Sequence, residues 1–120
     1  WWQKHGSGGQ FVRGKSFDSF CPIGPWQSAE AVPDPQALRS VTTLNGEVVQ
    51  DGATADMIFS VRDIIAHLSQ DTTLPAGTVL LTGTPSGVGA GRTPPRFLRG
   101  GDSVEVSIAG VGTLCNPVQA

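Results

Sequence analysis

Hydrophobic and polar residues alternate in two parts of the chain, and both parts predict β-strands. Residues 38–50 contain two β-prone runs joined by Asn45-Gly46, a pair that tolerates the positive φ angles of a tight turn. Residues 103–109 alternate apolar and polar side chains, and the glycines within 110–112 mark a turn into a last short strand. We therefore expect a hairpin at 38–50 and two further strands near the end of the chain.

The spacing of apolar residues changes to that of a helix at 60–70. Ser60 can cap this helix, with Asp63 three residues further on. Four apolar residues recur at the spacing that places them on one helix face, namely Val61, Ile64, Ile65 and Leu68. The pattern predicts one short amphipathic helix.

A β-prone run follows at 78–82, with three apolar residues, Val79, Leu80 and Leu81, between two threonines. Its apolar side chains would lie on both faces, which is typical of a strand buried on both sides. The run ends at Gly83-Thr84-Pro85, and a turn that leaves a buried strand is a common place for binding residues. We therefore expect a buried strand at 78–82 with candidate chemistry at its end.

Composition agrees with a fold rich in turns and strands. The 120 residues include 16 glycines and 9 prolines, and only 15% are charged. An average soluble chain has about 12% glycine plus proline and about a quarter charged residues. This balance is unusual for a helix bundle. Together with the strand and helix patterns, it predicts a β-rich α+β fold in one domain or a piece of one.

The distribution of charge and cysteine argues against several classes of partner. Eight Lys and Arg against ten Asp and Glu give a net charge of -2 without a basic stripe, so we expect no nucleic acid partner. No apolar run approaches the roughly 18 residues of a membrane helix, and the first residues do not resemble a signal peptide. We therefore expect a cytoplasmic protein. Cys21 and Cys115 lie far apart without nearby ligands, which indicates reduced thiols.

Residues 86–93 follow the apolar run and approach the form of a phosphate-binding P-loop. However, a serine and Arg92 replace the first glycine and the lysine of that motif, and Pro94-Pro95 opposes the helix that it must open. We therefore do not expect a nucleotide site. The glycine-rich turn can still offer backbone N–H groups and the Thr84 hydroxyl to a small anion such as a carboxylate, or it is an ordinary connection.

Lys15 and the two histidines are the remaining candidates for chemistry. Lys15 ends a glycine-rich stretch and is followed by Phe17, so its cation could lie partly buried over an anionic ligand, or it is a surface lysine. Neither His5 nor His67 has a carboxylate or serine placed along the sequence so as to suggest a triad, and no acidic pair has the spacing of a metal site. The residues alone identify no metal site.

Several short segments, taken in order, resemble the fumarylacetoacetate hydrolase family. They are GKSFD at 14–18, CPIGP at 21–25, LNGEVVQ at 44–50, DMIF at 56–59, LLTGTPSGVG at 80–89, PPRFL at 94–98 with GD at 101–102, and NPV at 116–118. No single segment is decisive, but the ordered set is specific. The resemblance implies a mixed β-sandwich or roll of that family's type, incomplete in this chain.

The resemblance also implies a reaction. Members of the family are usually homodimers that use Mg²⁺ or Mn²⁺ to hydrolyse, isomerise or decarboxylate small diketo or oxo acids, through an enolate that the metal stabilises. The implied activity is that of a metal-dependent hydrolase or isomerase acting on an acylpyruvate or fumarylpyruvate type of acid. Which acid, which reaction and which ion stay open.

Particular residues match positions of the family's site. Lys15 matches the lysine beside the metal, where its charge would neutralise the enolate, and Ser19 falls where relatives carry Ser or Thr near the same ion. Gln3 matches a substrate-contacting glutamine. The threonine that binds the substrate carboxylate with its hydroxyl and adjacent backbone matches the segment Gly83, Thr84 and Pro85.

The family's three metal-binding carboxylates match no position here, because they fall before Trp1, as do the His and Glu that activate water. We therefore expect residues 1–120 to be the C-terminal part of a single catalytic domain, with the ligands of the ion outside this chain. The alternative is a truncated family scaffold without catalysis, acting at most as an association module through exposed strand edges.

Overall fold

The computed structural model describes residues 5–119, and its strands form one antiparallel sheet. The strands are β1 (Arg39–Leu44), β2 (Glu47–Ala53), β3 (Ser103–Ile108) and β4 (Gly112–Pro117). Their order is β2-β1-β3-β4, and each neighbouring pair is antiparallel. Two hairpins, β1–β2 and β3–β4, therefore lie side by side and are joined by the β1–β3 pairing.

The hairpin expected at 38–50 is confirmed, and its second strand continues to Ala53. Asn45 and Gly46 form the turn with φ angles of 53° and 82°, and a tight hairpin turn of the I′ type needs positive φ at both positions. The register shifts after Thr42, which pairs with Gln50, because Thr43 pairs with Val48. The intervening residue of β2 is therefore the extra residue of a β-bulge.

The helix expected at 60–70 is also confirmed as α2 (Val61–Leu68), which follows the short helix α1 (Phe11–Lys15). Ser60 Oγ accepts a hydrogen bond from the Asp63 backbone N–H at 3.1 Å, and the Asp63 carboxylate accepts one from the Ser60 N–H at 3.0 Å. These two bonds form a capping box at the start of α2. None of the described helices is long and apolar enough to cross a membrane.

The prediction of a buried strand at 78–82 is wrong for the described residues. The run lies outside the sheet, and Val79 and Leu81 are 50% and 80% exposed. A strand needs a neighbour that satisfies its backbone N–H and C=O groups, and no segment within 5–119 forms a ladder with this run. The apolar residues of this run are therefore not sufficient to form a buried strand without a pairing neighbour.

The fold class is confirmed as β-rich, with one clear amphipathic helix and a sheet that is open at β2 and β4 within the described residues. Leu44 on the central strand β1 is the one buried apolar side chain among residues 5–119. The apolar face of α2 is only partly covered, since Ile65 and Leu68 stay half-exposed.

Candidate active site

Residues 83–87, hereafter the 83–87 loop, lie against strand β2. Gly83 and Gly87 have φ angles of 102° and 101°, a backbone conformation that favours glycine. Thr84 and Pro85, which lie between these glycines, are exposed. The loop therefore presents the Thr84 hydroxyl and neighbouring backbone at the surface.

The Gln50 side chain holds the loop on β2. Its Nε2 amide donates hydrogen bonds to Thr84 Oγ1 and to the Pro85 carbonyl oxygen, both at 2.9 Å, and lies 3.3 Å from the Ser86 carbonyl oxygen. Gln50 is half-buried and follows the β-bulge directly. A side chain on strand β2, beside the bulge, thus sets the position of the Thr84 hydroxyl.

Two glycines allow the loop to approach β2 closely. A Cβ atom at Gly52 would lie 2.7 Å from Pro85 Cβ, and a Cβ atom at Gly87 would overlap the Val49 carbonyl oxygen. At Gly52 the close neighbour is the Pro85 ring, and at Gly87 it is the Val49 backbone. Neither position has room for a side chain.

Arg92 fastens the end of the loop to the bulge. Its Nη2 donates to the Val49 carbonyl oxygen at 2.6 Å, and its Nε donates to the Gly87 carbonyl oxygen at 3.2 Å. Val49 is the extra residue of the bulge, which leaves its carbonyl group available to Arg92. The cation that occupies the lysine position of the P-loop-like segment therefore binds the protein's own backbone.

A cleft of about 870 Å³ adjoins this region and is lined by Arg92, Thr93, Pro94, Pro95, Arg96, Phe97, Arg99 and Asp102. Arg96 Nη1 donates to Glu47 Oε2 at 2.7 Å, and this bond and the positive charge hold the pKa of Glu47 below its usual value. The Asn45 side chain and the Arg99 backbone N–H both donate to Asp102, and they lower its pKa. Both carboxylates thus have structural partners.

Lys15 ends helix α1, whereas the sequence placed it at the end of a glycine-rich stretch. Its side chain is exposed, and its Nζ lies 5.9 Å from the centre of the Phe11 ring, a cation–π contact. Ser19 is exposed and has a φ of 64°, in a turn closed by a 3.2 Å hydrogen bond from the Phe20 N–H to the Phe17 carbonyl.

The structure does not join all the expected site residues. Within residues 5–119, neither Lys15 nor Ser19 forms a hydrogen bond or ion pair with the 83–87 loop. Gln3 lies outside the described residues. The assignments of Gln3, Lys15, Ser19 and the segment 83–85 therefore remain predictions.

Among the same residues, no three His, Cys, Asp or Glu side chains come together as ligands for a metal ion. The described residues thus do not fit a complete site for Mg²⁺ or Mn²⁺. The expectation that the ligands of such an ion lie outside this chain also remains a prediction.

The sequence patterns did not identify Gln50 and Gly52 as parts of the site. Gln50 appeared only within the segment LNGEVVQ, and its contact with the loop joins residues 34 positions apart. A glycine inside a predicted strand indicates a bulge or a close backbone approach. Gly52 lies two positions beyond the β-prone run of residues 38–50, so the predicted strand did not offer this signal.

Comparison with known proteins gives one consistent match. The family model described as Fumarylacetoacetate (FAA) hydrolase C-terminal matches residues 1–119. Oxaloacetate tautomerase YisK of Bacillus subtilis is 47% identical over 110 residues, which are 91% of this chain and 36% of the relative. The human mitochondrial oxaloacetate tautomerase FAHD2A is 47% identical over 118 residues, which are 98% of this chain and 38% of the relative.

Solved structures agree with these matches. The fumarylacetoacetate hydrolase from Exiguobacterium antarcticum superimposes with a TM-score of 0.89 and 48% identity, covering 92% of this chain and 40% of that one. Maleylpyruvate hydrolase from Sphingobium sp. SYK-6, in complex with manganese (II) ion and pyruvate, gives a TM-score of 0.77 and 36% identity, covering 86% of this chain and 37% of that one. The chain thus spans well under half the length of these relatives.

Proposed function

Because the chain belongs to the fumarylacetoacetate hydrolase family, we propose that residues 1–120 are the C-terminal part of a single catalytic domain. The complete enzyme is a hydrolase or isomerase that acts on small diketo or oxo acids. Relatives named as oxaloacetate tautomerases and as a maleylpyruvate hydrolase support this substrate class, since oxaloacetate and maleylpyruvate both carry a carboxylate beside an oxo group. The 83–87 loop binds that carboxylate.

The fixed position of the Thr84 hydroxyl is the observation that carries this proposal. Gln50 Nε2 lies 2.9 Å from Thr84 Oγ1, in a loop whose residues are exposed and which has positive φ angles at Gly83 and Gly87. A hydroxyl and backbone N–H groups are suitable donors for a carboxylate, which only accepts hydrogen bonds. Gly83 and Pro85 shape the turn on either side of this donor.

Lys15 supplies positive charge where the substrate becomes an enolate, and Ser19 and Gln3 support the same site in the complete enzyme. Such a charge stabilises an oxyanion most strongly where water is excluded. The manganese and pyruvate in the maleylpyruvate hydrolase structure support a divalent ion in the family. The described residues hold no group of three ligands for such an ion, and its ligands would come from outside them. Homodimeric assembly and a cytoplasmic location also stay predictions, and the human relative is named mitochondrial.

A second function is favoured by the open sheet. Strands β2 and β4 lie at its two edges within the described residues, and an unpaired edge can join another chain. On this alternative, the protein is a family scaffold without catalysis that associates through these edges.

Kinetics of the complete protein distinguish the two functions. Oxaloacetate tautomerisation and hydrolysis of maleylpyruvate are measured after chelation and after addition of Mg²⁺ or Mn²⁺. We expect saturable turnover of at least one of these acids that depends on the added ion. If the folded complete protein turns over neither acid with either ion, the proposed enzymatic function is contradicted. The alternative of a scaffold without catalysis is then retained.

A further inference from the structure

We propose that Gln50 is a positioning residue that points the Thr84 hydroxyl proton at the substrate carboxylate. This inference rests on the proposed function of the 83–87 loop, and it assigns a role to a side chain that lies on β2 rather than in the loop. It follows from the direction of the hydrogen bonds that Gln50 makes.

The contacts of Gln50 determine which end of its amide faces the loop. The Pro85 and Ser86 carbonyl oxygens, at 2.9 and 3.3 Å, can only accept hydrogen bonds. The atom that faces them must therefore be the Nε2 donor and not the Oε1 acceptor. Because the same Nε2 lies 2.9 Å from Thr84 Oγ1, it also donates to the Thr84 hydroxyl.

This direction has a consequence for the Thr84 proton. A hydroxyl has one proton and two lone pairs, and the Gln50 amide takes up one lone pair. The Thr84 O–H must then point away from Gln50, and within residues 5–119 the hydroxyl makes no other hydrogen bond. Its proton is thus available to a ligand that accepts, such as a carboxylate.

The surroundings of Gln50 keep this arrangement in place. Gln50 is half-buried on β2, where it pairs with Thr42 of β1. The contact between Gly52 and Pro85 fixes the loop on one side, and Arg92 fixes it on the other. The Gln50 donor and the Thr84 hydroxyl are therefore held in place by contacts between the loop and β2 before any ligand binds.

The variant Gln50→Glu reverses the polarity of this contact with little change in shape. A carboxylate at position 50 accepts a hydrogen bond from the Thr84 hydroxyl and adds negative charge beside the substrate carboxylate. We expect KM for the oxo acid to rise about 10- to 100-fold in the complete enzyme, with kcat changed much less, because the carboxylate is bound equally in the ground and transition states. The rise in KM should diminish toward pH 5, since a protonated Glu can donate again.

Gln36→Glu is the matched control for this variant. Gln36 is also half-buried, and its amide bonds the Thr54 carbonyl at 2.8 Å and the Val61 N–H at 2.7 Å, both outside the loop. We expect Gln36→Glu to lower the unfolding midpoint without raising KM. If Gln50→Glu does not fold, Gln50→Met replaces it, since it removes the donor without adding charge, and KM should still rise severalfold.

Thr84→Val separates this inference from the proposed function. A rise in KM for Thr84→Val, a similar rise for Gln50→Met, which adds no charge, and no further rise in the double variant would show that Gln50 acts through Thr84. If Thr84→Val raises KM but the Gln50 variant changes only stability, the inference is wrong and the proposed function stands. An unchanged KM in Thr84→Val overturns both.

Discussion

Gly52 of β2 and Pro85 of the 83–87 loop pack so closely that a methyl group on the Gly52 α-carbon would lie 2.7 Å from Pro85 Cβ. The proline ring is rigid, so it cannot turn aside as a long side chain would. The absence of a side chain at position 52 therefore sets how closely the loop that carries Thr84 approaches the sheet.

Gly52→Ala should push the loop away from β2. We expect a loss of about 1–3 kcal/mol in the free energy of unfolding, as is usual for overpacking, together with a raised KM for the oxo acid. Gly91→Ala is the control, because a Cβ there meets Val88 at an ordinary 3.5 Å. Urea unfolding and steady-state kinetics of the complete protein check both effects. Equal behaviour of the two variants would show that the contact does not position the loop.

Lys15→Ala tests the proposed role of the lysine. If Lys15 stabilises a developing negative charge, its removal should lower kcat about 100-fold in the complete enzyme, with a smaller change in KM. Arg62→Ala removes an exposed cation from α2 and should leave kcat unchanged. Activity retained in Lys15→Ala would remove Lys15 from the catalytic machinery without affecting the assignment of Thr84.

Ser60→Ala removes the side-chain half of the capping box of α2. The N–H of Asp63 loses its acceptor, so we expect a loss of about 1 kcal/mol in the free energy of unfolding. Ser60→Asn retains an acceptor and should restore most of the stability. Chemical denaturation of both variants provides the measurement, and a neutral effect of Ser60→Ala would mean that α2 is held by other contacts.

Asp102 predicts a pH dependence of stability. Hydrogen bonds from the Asn45 side chain and the Arg99 N–H lower the pKa of Asp102 in the folded protein. The contribution of the ionised Asp102 to the free energy of unfolding is therefore fully present above the unfolded pKa of about 3.9. It is lost as the pH falls through the lower pKa of the folded protein. The stability difference between wild type and Asp102→Asn should be constant from pH 7 to about pH 5 and shrink in more acidic solution.

Asp71→Asn is the control for this pH series, because the Asp71 carboxylate makes no hydrogen bond within the described residues. Its stability should follow that of the wild type across the same range. A difference between wild type and Asp102→Asn that does not change with pH would contradict the assigned bonds.

Local signals in the sequence predicted local structure well. Asn45-Gly46 predicted the hairpin because the turn depends on the φ angles of these two residues, and Ser60 with Asp63 predicted the start of α2 because their bonds span three residues. The side chain of Asn45 does more than a turn requires. It donates to Asp102 at 2.8 Å and accepts from the Ser103 N–H at 2.8 Å, contacts that no local pattern indicates.

Features that depend on distant partners could not be predicted from the sequence. The apolar run at 78–82 has the pattern of a buried strand, but pairing requires a neighbouring strand, and none is present within residues 5–119. The resemblance to the family indicated Thr84, whereas the contact of Gln50 with Thr84 depends on how the loop lies on β2. The fold class could thus be predicted from the sequence, the role of Thr84 stays a prediction, and the contact that supports Thr84 could not be predicted.

A crystal structure of the complete protein with bound pyruvate tests the central claim most directly. We predict a pyruvate carboxylate oxygen within about 3 Å of Thr84 Oγ1, with Gln50 Nε2 on the opposite side of that hydroxyl. Pyruvate bound with its carboxylate away from the 83–87 loop would contradict the account.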